Sequence, residues 1–344
     1  MELLNKREKT VLELVMEHYI LSADPIGSGI ISKTMKYKLS SATIRNIMGD
    51  LEALDFLYKP HSVAGRIPTP KAFRYYVNSL PPRGIPGKKD LKTFESLMKP
   101  RYTHVEEVME DASKILAAMS SCTSIVVEPK VDTMLFQEVE FVKLSRHTIL
   151  MVFVTSSGTV HKRLVEIDED LGLDVLIEMK EYMNRSFSGI PFYALKNALL
   201  QDLKKDRETF TMLYEKIKNT LDIIIGEEEK REVYIEGTSK MIGVPEFSDI
   251  EKLKELFKAL ENKEKLLKLF DRCLRQEEGV NVVIGNESDV KEMRNISIIM
   301  SAYQISEKSW GILGVIGPMR MNYSKIMPLV DYTARTMTGI LRIM

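Results

Sequence analysis

Arg45 and Asn46 are the residues of this sequence whose types and spacing suit a definite chemistry. They stand near the start of a stretch, Ser40 to Arg66, that reads SSATIRNIMGDLEALDFLYKPHSVAGR. A guanidinium can fork onto guanine and a side-chain amide onto adenine, if both project from a helix able to enter a major groove. The stretch supplies such a helix. Ser40 or Ser41 can cap it, and Ile44, Met48, Leu51 and Leu54 recur at steps of four, three and three, which builds one apolar stripe. Thr43, Arg45, Asn46 and Asp50 fall on the other face, where Thr43 can join the two base readers.

A reading helix needs a frame, and the flanking sequence offers one. Residues 6–21 place Val11, Leu12, Val15 and Tyr19 on one helical face, with His18 beside them. Ser28 is expected to cap a short second helix running to about Met35, with Ile30 and Ile31 in the core. Helix, helix, turn, helix within some fifty residues is helix-turn-helix spacing. After Leu54, Phe56 to Tyr58 suit a short strand, Pro60 to Gly65 a tight loop, and Arg66-Ile67 a return strand. That is a wing. Thr69 then caps another helix, with Pro70 first in it and Phe73, Tyr76, Val77 and Leu80 on its apolar side.

Charge supports the same reading locally, though not globally. Over 344 residues the formal net charge is zero, so the whole-chain balance is silent about nucleic acid. Between Pro25 and Leu80, however, Lys33, Lys36, Lys38, Arg45, Lys59, Arg66, Lys71 and Arg74 face only Asp50, Glu52 and Asp55. A basic surface around a reading helix is the footprint of a DNA-binding unit. Ser40, Ser41, Lys59, His61 and Arg66 are then the candidates for phosphate or minor-groove contacts. Because one such helix reads only a few base pairs, two-fold repetition is expected, that is, a dimer reading two half-sites about one helical turn or its multiples apart.

The length implies two or three domains, and 44% hydrophobic with 28% charged residues describes a soluble globular chain. Two widely separated cysteines, Cys122 and Cys273, argue against a structural disulfide and for a cytoplasmic setting. The start, MELLNKREKT, lacks the apolar centre of a signal peptide, and no apolar run reaches membrane-spanning length. The Pro81 to Pro86 stretch, with GKKD after it, reads as the main break in the chain, and residues 81–100 as a linker. Beyond it, helical spacing covers 91–121, and strands follow at 123–128, 137–144, 147–155 and 159–167. Helices are expected at 174–187, 192–200, 205–225 and 250–274, further strands at 233–237 and from Val280 to Pro318, and a final helix at 323–341. The economical fold class is multidomain α+β with antiparallel neighbours.

Other chemistry finds no support in the pattern. The run GILGVIG, Gly311 to Gly317, lies within a strand rather than opening a helix, so close strand packing is its reading. His18, His61, His104, His147 and His161 show no metal-ligand spacing. No nucleophile signature is present, and neither an enzyme, a metal nor a cofactor is expected.

The string SSATIRN, followed by AGRIPT and RYYV, resembles the HrcA heat-inducible transcription repressors. The likeness resumes in EGTSKMIGVPEFSD, VVIGNES and GVIGPMRMNYSKIMPLVDYTA and covers nearly the whole chain, most weakly in its middle third. Asp55 stands where the family usually has Gly, Ala72 also replaces a Gly, and Val63 replaces a small polar residue. The resemblance implies an N-terminal winged helix (1–80), a GAF-like domain (101–134 and 231–344), and a dimerising domain inserted in it at 135–230. It also implies a homodimer on an inverted-repeat operator of chaperone genes, with activity dependent on the GroE chaperonin. An alternative is a winged-helix regulator that senses a small ligand in the GAF-like domain, its 20 methionines lining an adaptable pocket.

Overall fold

The N-terminal helices begin where side chains can close their first turns. In the computed structural model, Asn5 caps α1 (Lys6–Ser22) by accepting from the N–H groups of Arg7 and Glu8, and Glu8 returns a bond to the Asn5 N–H. This reciprocal cap satisfies donors that the helix itself leaves open. The structure describes residues 4–35, 39–60, 65–81, 84–129, 134–156, 158–167, 170–192, 194–195, 197–198, 231–274, 279–287, 296–306 and 309–344. Two further helices follow, α2 (Ser28–Thr34) and α3 (Ser41–Ala53), then a two-stranded antiparallel ribbon of β1 (Leu57–Tyr58) and β2 (Ile67–Pro68), then α4 (Pro70–Ser79). Seven residues are too few for a helix to persist alone, so α2 depends on tertiary burial. Ile31, fully buried in the core that α2 shares with α1 and α3, supplies it.

Five antiparallel strands form the central sheet. They are β3 (Thr123–Val127), β7 (Val233–Glu236), β8 (Val280–Ile284), β9 (Ile296–Gln304) and β10 (Trp310–Pro318), in the order β7-β3-β10-β9-β8. One face carries α6 (Val105–Ser120) and the C-terminal α10 (Tyr323–Leu341); the other carries α8 (Ile250–Glu261) and α9 (Lys263–Leu274). The near-continuous apolar text of β9 and β10 follows from this burial on both faces. The Gly-rich run belongs here: a Cβ on Gly311 would collide with the Tyr303 ring, and one on Gly314 with the Ile299 carbonyl. Close strand packing is what those glycines permit.

Between β3 and β7 in sequence, though these two strands pair with each other, lies a separate layer. A meander of β4 (Phe136–Lys143), β5 (Thr148–Thr155) and β6 (Val160–Glu166) packs on α7 (Leu173–Phe187) around its own core of Phe136, Met151, Phe153, Phe187 and Phe192. Asn184 of α7 bonds both the N–H and the carbonyl of Val139, which fixes the helix along β4. The molecule is thus mixed α and β, with antiparallel sheets. Among the described residues no helix is long and apolar enough to cross a membrane.

Several expectations change. Gly27, not Ser28, occupies the cap position of α2, and Ile30 is exposed while Ile31 alone is buried there. The charged helix expected over 250–274 is two helices, because Asn262 ends α8 and its side chain accepts from Lys265 N–H at 3.1 Å to start α9. Arg66 does not join the return strand; its backbone exchanges two 2.9 Å hydrogen bonds with Ile26. The stretch read as a linker contains α5 (Lys88–Leu97), whose Phe94 packs edge-on against Tyr332 of α10 at 5.1 Å. The helix expected over 205–225 lies outside the described residues.

Candidate nucleic-acid interface

Helix α3 is held at both ends. Ser40 caps it, its hydroxyl accepting from Thr43 N–H at 3.1 Å, and the Ser41 and Ser28 hydroxyls share a 3.0 Å bond that ties α3 to α2. At the far end the N–H of Phe56 reaches the Leu51 carbonyl at 2.9 Å and that of Asp55 reaches Glu52 at 3.0 Å. This paired closure requires a left-handed residue, and Asp55 takes that conformation with φ 59°. A glycine would sit there without strain, since the left-handed region costs an L side chain about 1–2 kcal/mol. Thr69 then bonds the Asp55 and Phe56 carbonyls at 2.7 and 3.2 Å, and Lys71 donates to the Leu54 carbonyl at 2.8 Å while lying over the Phe56 ring. The junction between helix and ribbon is therefore rigid.

The buried side of α3 is Ile44, Ile47, Met48 and Leu51; Ile47 joins the expected stripe, and Leu54 sits at its margin. Arg45 and Asn46 are exposed, and among the described residues neither has a hydrogen-bond or ion-pair partner. Beside them Ala42 is exposed, and a Cβ on Gly49 would meet nothing within 4 Å, so the face is low and open. The Arg45 side chain is not engaged by Asp50 or Glu52. Glu52 instead pairs with Arg66 at 3.2 Å, where the Arg66 side chain is only 18% exposed.

The structure thus divides the cations that the sequence placed in one footprint. Arg66, Lys71 and Arg74 are turned onto protein acceptors; Arg74 donates to the Val282 carbonyl at 2.6 Å and to Glu287 at 2.7 Å. Arg45, Lys59 and Lys33 are exposed and unpaired among the described residues, while Lys36 and Lys38 lie outside them. His61 and the ribbon tip, 61–64, also lie outside the described residues. Lys33 on α2 was counted in the basic footprint but given no contact of its own, and the exposed Tyr58 on β1 was not singled out from sequence. Only the strand alternation at Leu57 and Tyr58, buried then exposed, carries a signal for the second. Ser40, Ser41 and Thr43 are occupied in part, but a hydroxyl retains capacity for a further bond.

A cavity of about 130 Å³ lies elsewhere, between the meander and the C-terminus, lined by Met134, Leu135, Ser156, Ile305, Ser309 and Arg342 among others.

The sequence matches known proteins over the same span. A family model described as the HrcA protein C terminal domain matches residues 106–327. The chain is 34% identical over 339 residues to the heat-inducible transcription repressor HrcA of Syntrophobacter fumaroxidans, covering 98% of this chain and 97% of that one. It is 35% identical over 342 residues to the protein of that name from Geobacter sulfurreducens, covering 98% of each. A crystal structure described only as that of a hypothetical protein shares the fold, with a TM-score of 0.64 at 21% identity over 99% of both chains. On this likeness along nearly its whole length, the chain belongs to the HrcA family of heat-inducible transcription repressors, which are regulators and not enzymes.

Proposed function

We propose that the protein represses transcription in the cytoplasm by holding double-stranded operator DNA, an inverted repeat, as a homodimer with one α3 in each of two major grooves. In this reading residues 1–80 are a winged helix-turn-helix, with α2 and α3 as the helix pair and the β1–β2 ribbon as the wing. The observation that carries it is the contrast within one small unit: Arg45 and Asn46 stand exposed and, among the described residues, unpaired on a helix clamped at both ends, while neighbouring arginines are bound internally. Arg45 and Asn46 meet base edges, assisted by Thr43. Ser40, Ser41 and Lys59 meet phosphates, His61 is assigned a phosphate or minor-groove contact, and Arg66 is held by Glu52.

The test compares Arg45→Ala and Asn46→Ala with the parent on operator and on random DNA. Arg45→Ala is expected to cost about 1–3 kcal/mol of specific binding and to blur one base per half-site. Equal losses on both DNAs would make Arg45 a phosphate contact and remove it from base reading.

Residues 101–134 and 231–344 are read as the GAF-like domain and 135–230 as the inserted dimerising domain. The pairing of β3 with β7 across the meander, and the meander's separate core, support that division. Sedimentation of a chain lacking 135–230 should give a monomer. The GroE chaperonin is assigned the regulatory role; gel shifts along a temperature ramp should show chaperonin raising the fraction of operator-bound protein. A second reading, a regulator that senses a small ligand, would need a pocket of roughly 300–1,000 Å³; the cavity noted above, about 130 Å³, is smaller than that.

A further inference from the structure

The N-terminal unit is docked on the sheet by three sets of contacts, one aromatic and two made by arginines. At the centre Phe73 of α4 packs between Tyr19, at 6.3 Å, and Tyr323, at 6.2 Å. Tyr323 is itself immobilised, its hydroxyl bonded to Ser297 Oγ and to the Met319 carbonyl at 2.7 Å each. On one side Arg74 reaches out of the N-terminal unit. Its Nε donates to Glu287 at 2.7 Å and its Nη2 to the Val282 carbonyl at 2.6 Å as well as to Glu287. Glu287 is aimed by its own turn, since it also accepts from Ile284 N–H at 2.9 Å.

On the other side an arginine reaches back. Arg320, paired with Glu246, donates to the Ile20 carbonyl at 3.3 Å in the last turn of α1. That carbonyl is one that a helix cannot satisfy by itself. Two arginines, one reaching out of each side, tie the N-terminal unit to the sheet beside the aromatic contact. Arg74 and Glu287 are 32% and 40% exposed, so their bond adds direction more than stability.

We infer that Arg74 and Glu287 are positioning residues that set which half-site spacing the dimer accepts. The inference rests on the dimeric, inverted-repeat reading above. Fixing the reading unit on the sheet fixes the offset between the two copies of α3, and one base pair of spacing error rotates a half-site by about 34°. A guanidinium forked onto a carboxylate and a carbonyl at once restrains angle as well as distance, which a lysine cannot do.

The experiment measures binding of the full-length protein to duplexes carrying two identical half-sites, with their separation varied one base pair at a time, and to a duplex with a single half-site. The parent should favour one spacing by about tenfold or more. Arg74→Ala, Glu287→Ala and the double variant should each flatten that preference to within about threefold, while single half-site affinity changes less than about twofold. Arg74→Lys, which keeps the charge but cannot span both acceptors, should fall between.

A spacing preference as sharp in these variants as in the parent would overturn the inference. So would a uniform loss with Arg74→Ala alone, with the salt slope reduced by about 0.9, since that marks a phosphate contact. A parent protein indifferent to the second half-site would fail the dimeric reading first, and the positioning role with it.

Discussion

The central sheet meets its two neighbours in different ways. Toward the N-terminal helices the junction is apolar in the middle, where Phe73 touches Tyr323, and charged at its margins through Arg74 and Arg320. Arginine stays ionised at any working pH, so this junction holds its form across conditions. Toward the meander the junction encloses Glu128 of the sheet side and His161 of β6, 4% and 7% exposed and 3.9 Å apart. Proximity alone would favour an ion pair, but burial outweighs it. Burial pushes the Glu128 carboxyl up to about 7, and burial with the Arg163 charge takes His161 down to about 4. Arg231, paired with Asp271 at 2.8 Å, and the Glu232 N–H, which donates to Glu128 at 3.2 Å, close the cluster. One junction carries arginine–carboxylate pairs at a half-open rim, the other a carboxyl and an imidazole that burial shifts toward their neutral forms. The first is suited to holding an angle and the second to responding to acid.

Breaking the first junction should have the largest effect. Phe73→Ala removes a side chain 1% exposed in a core shared by the N-terminal helices and one sheet face. It is expected to cost about 3–5 kcal/mol and, in calorimetry, to split one transition into two as the N-terminal unit melts alone. A single undivided transition would mean that the junction is not the weak seam.

The second junction is best seen through pH. As pH rises from 4.5 toward about 7, the unfolded chain gives up a Glu128 proton that the folded chain keeps, so this group's contribution falls. As pH drops from 6.5 toward about 4, the unfolded chain takes up a His161 proton that the folded chain refuses, so stability falls with acid. Where the windows overlap the slopes oppose. Glu128→Gln should therefore expose the histidine slope, with stability rising with pH, and His161→Phe the carboxyl slope, with stability falling with pH. Each is at most about 3 kcal/mol, read by urea unfolding at stepped pH. The same slope in both variants would dissolve the contrast between the junctions.

Two smaller changes touch neither junction. Asp55→Gly relieves a left-handed side chain at the end of α3 and should stabilise by about 1 kcal/mol, seen as a higher melting temperature. Arg45→Ala should leave stability within about 0.5 kcal/mol, measured beside its loss of DNA binding. A large loss of stability there would place Arg45 in the packing rather than on a free face.

The elements were legible where local rules dominate. Thr69 with Pro70, Ser40, and the periodic Ile44 to Leu51 face announce helices because caps and periodicity act within a few residues. The antiparallel run of β4, β5 and β6 and the apolar runs of β9 and β10 read equally well. The break at Asn262 was harder, since the apolar period continues through it and only the Asn side chain ends one helix and begins the next.

By itself the sequence determined the three helices and ribbon, the antiparallel strands, the face that carries Arg45 and Asn46, and the family. Those follow from interactions between near neighbours and from motifs written contiguously. Only the tertiary structure decided which cations remain available. Arg66 and Arg74 look like Arg45 in the text, but Glu52 and Glu287 take them, the latter from more than two hundred residues away. An arginine's role depends on the acceptor the fold brings to it, and no local pattern records that partner.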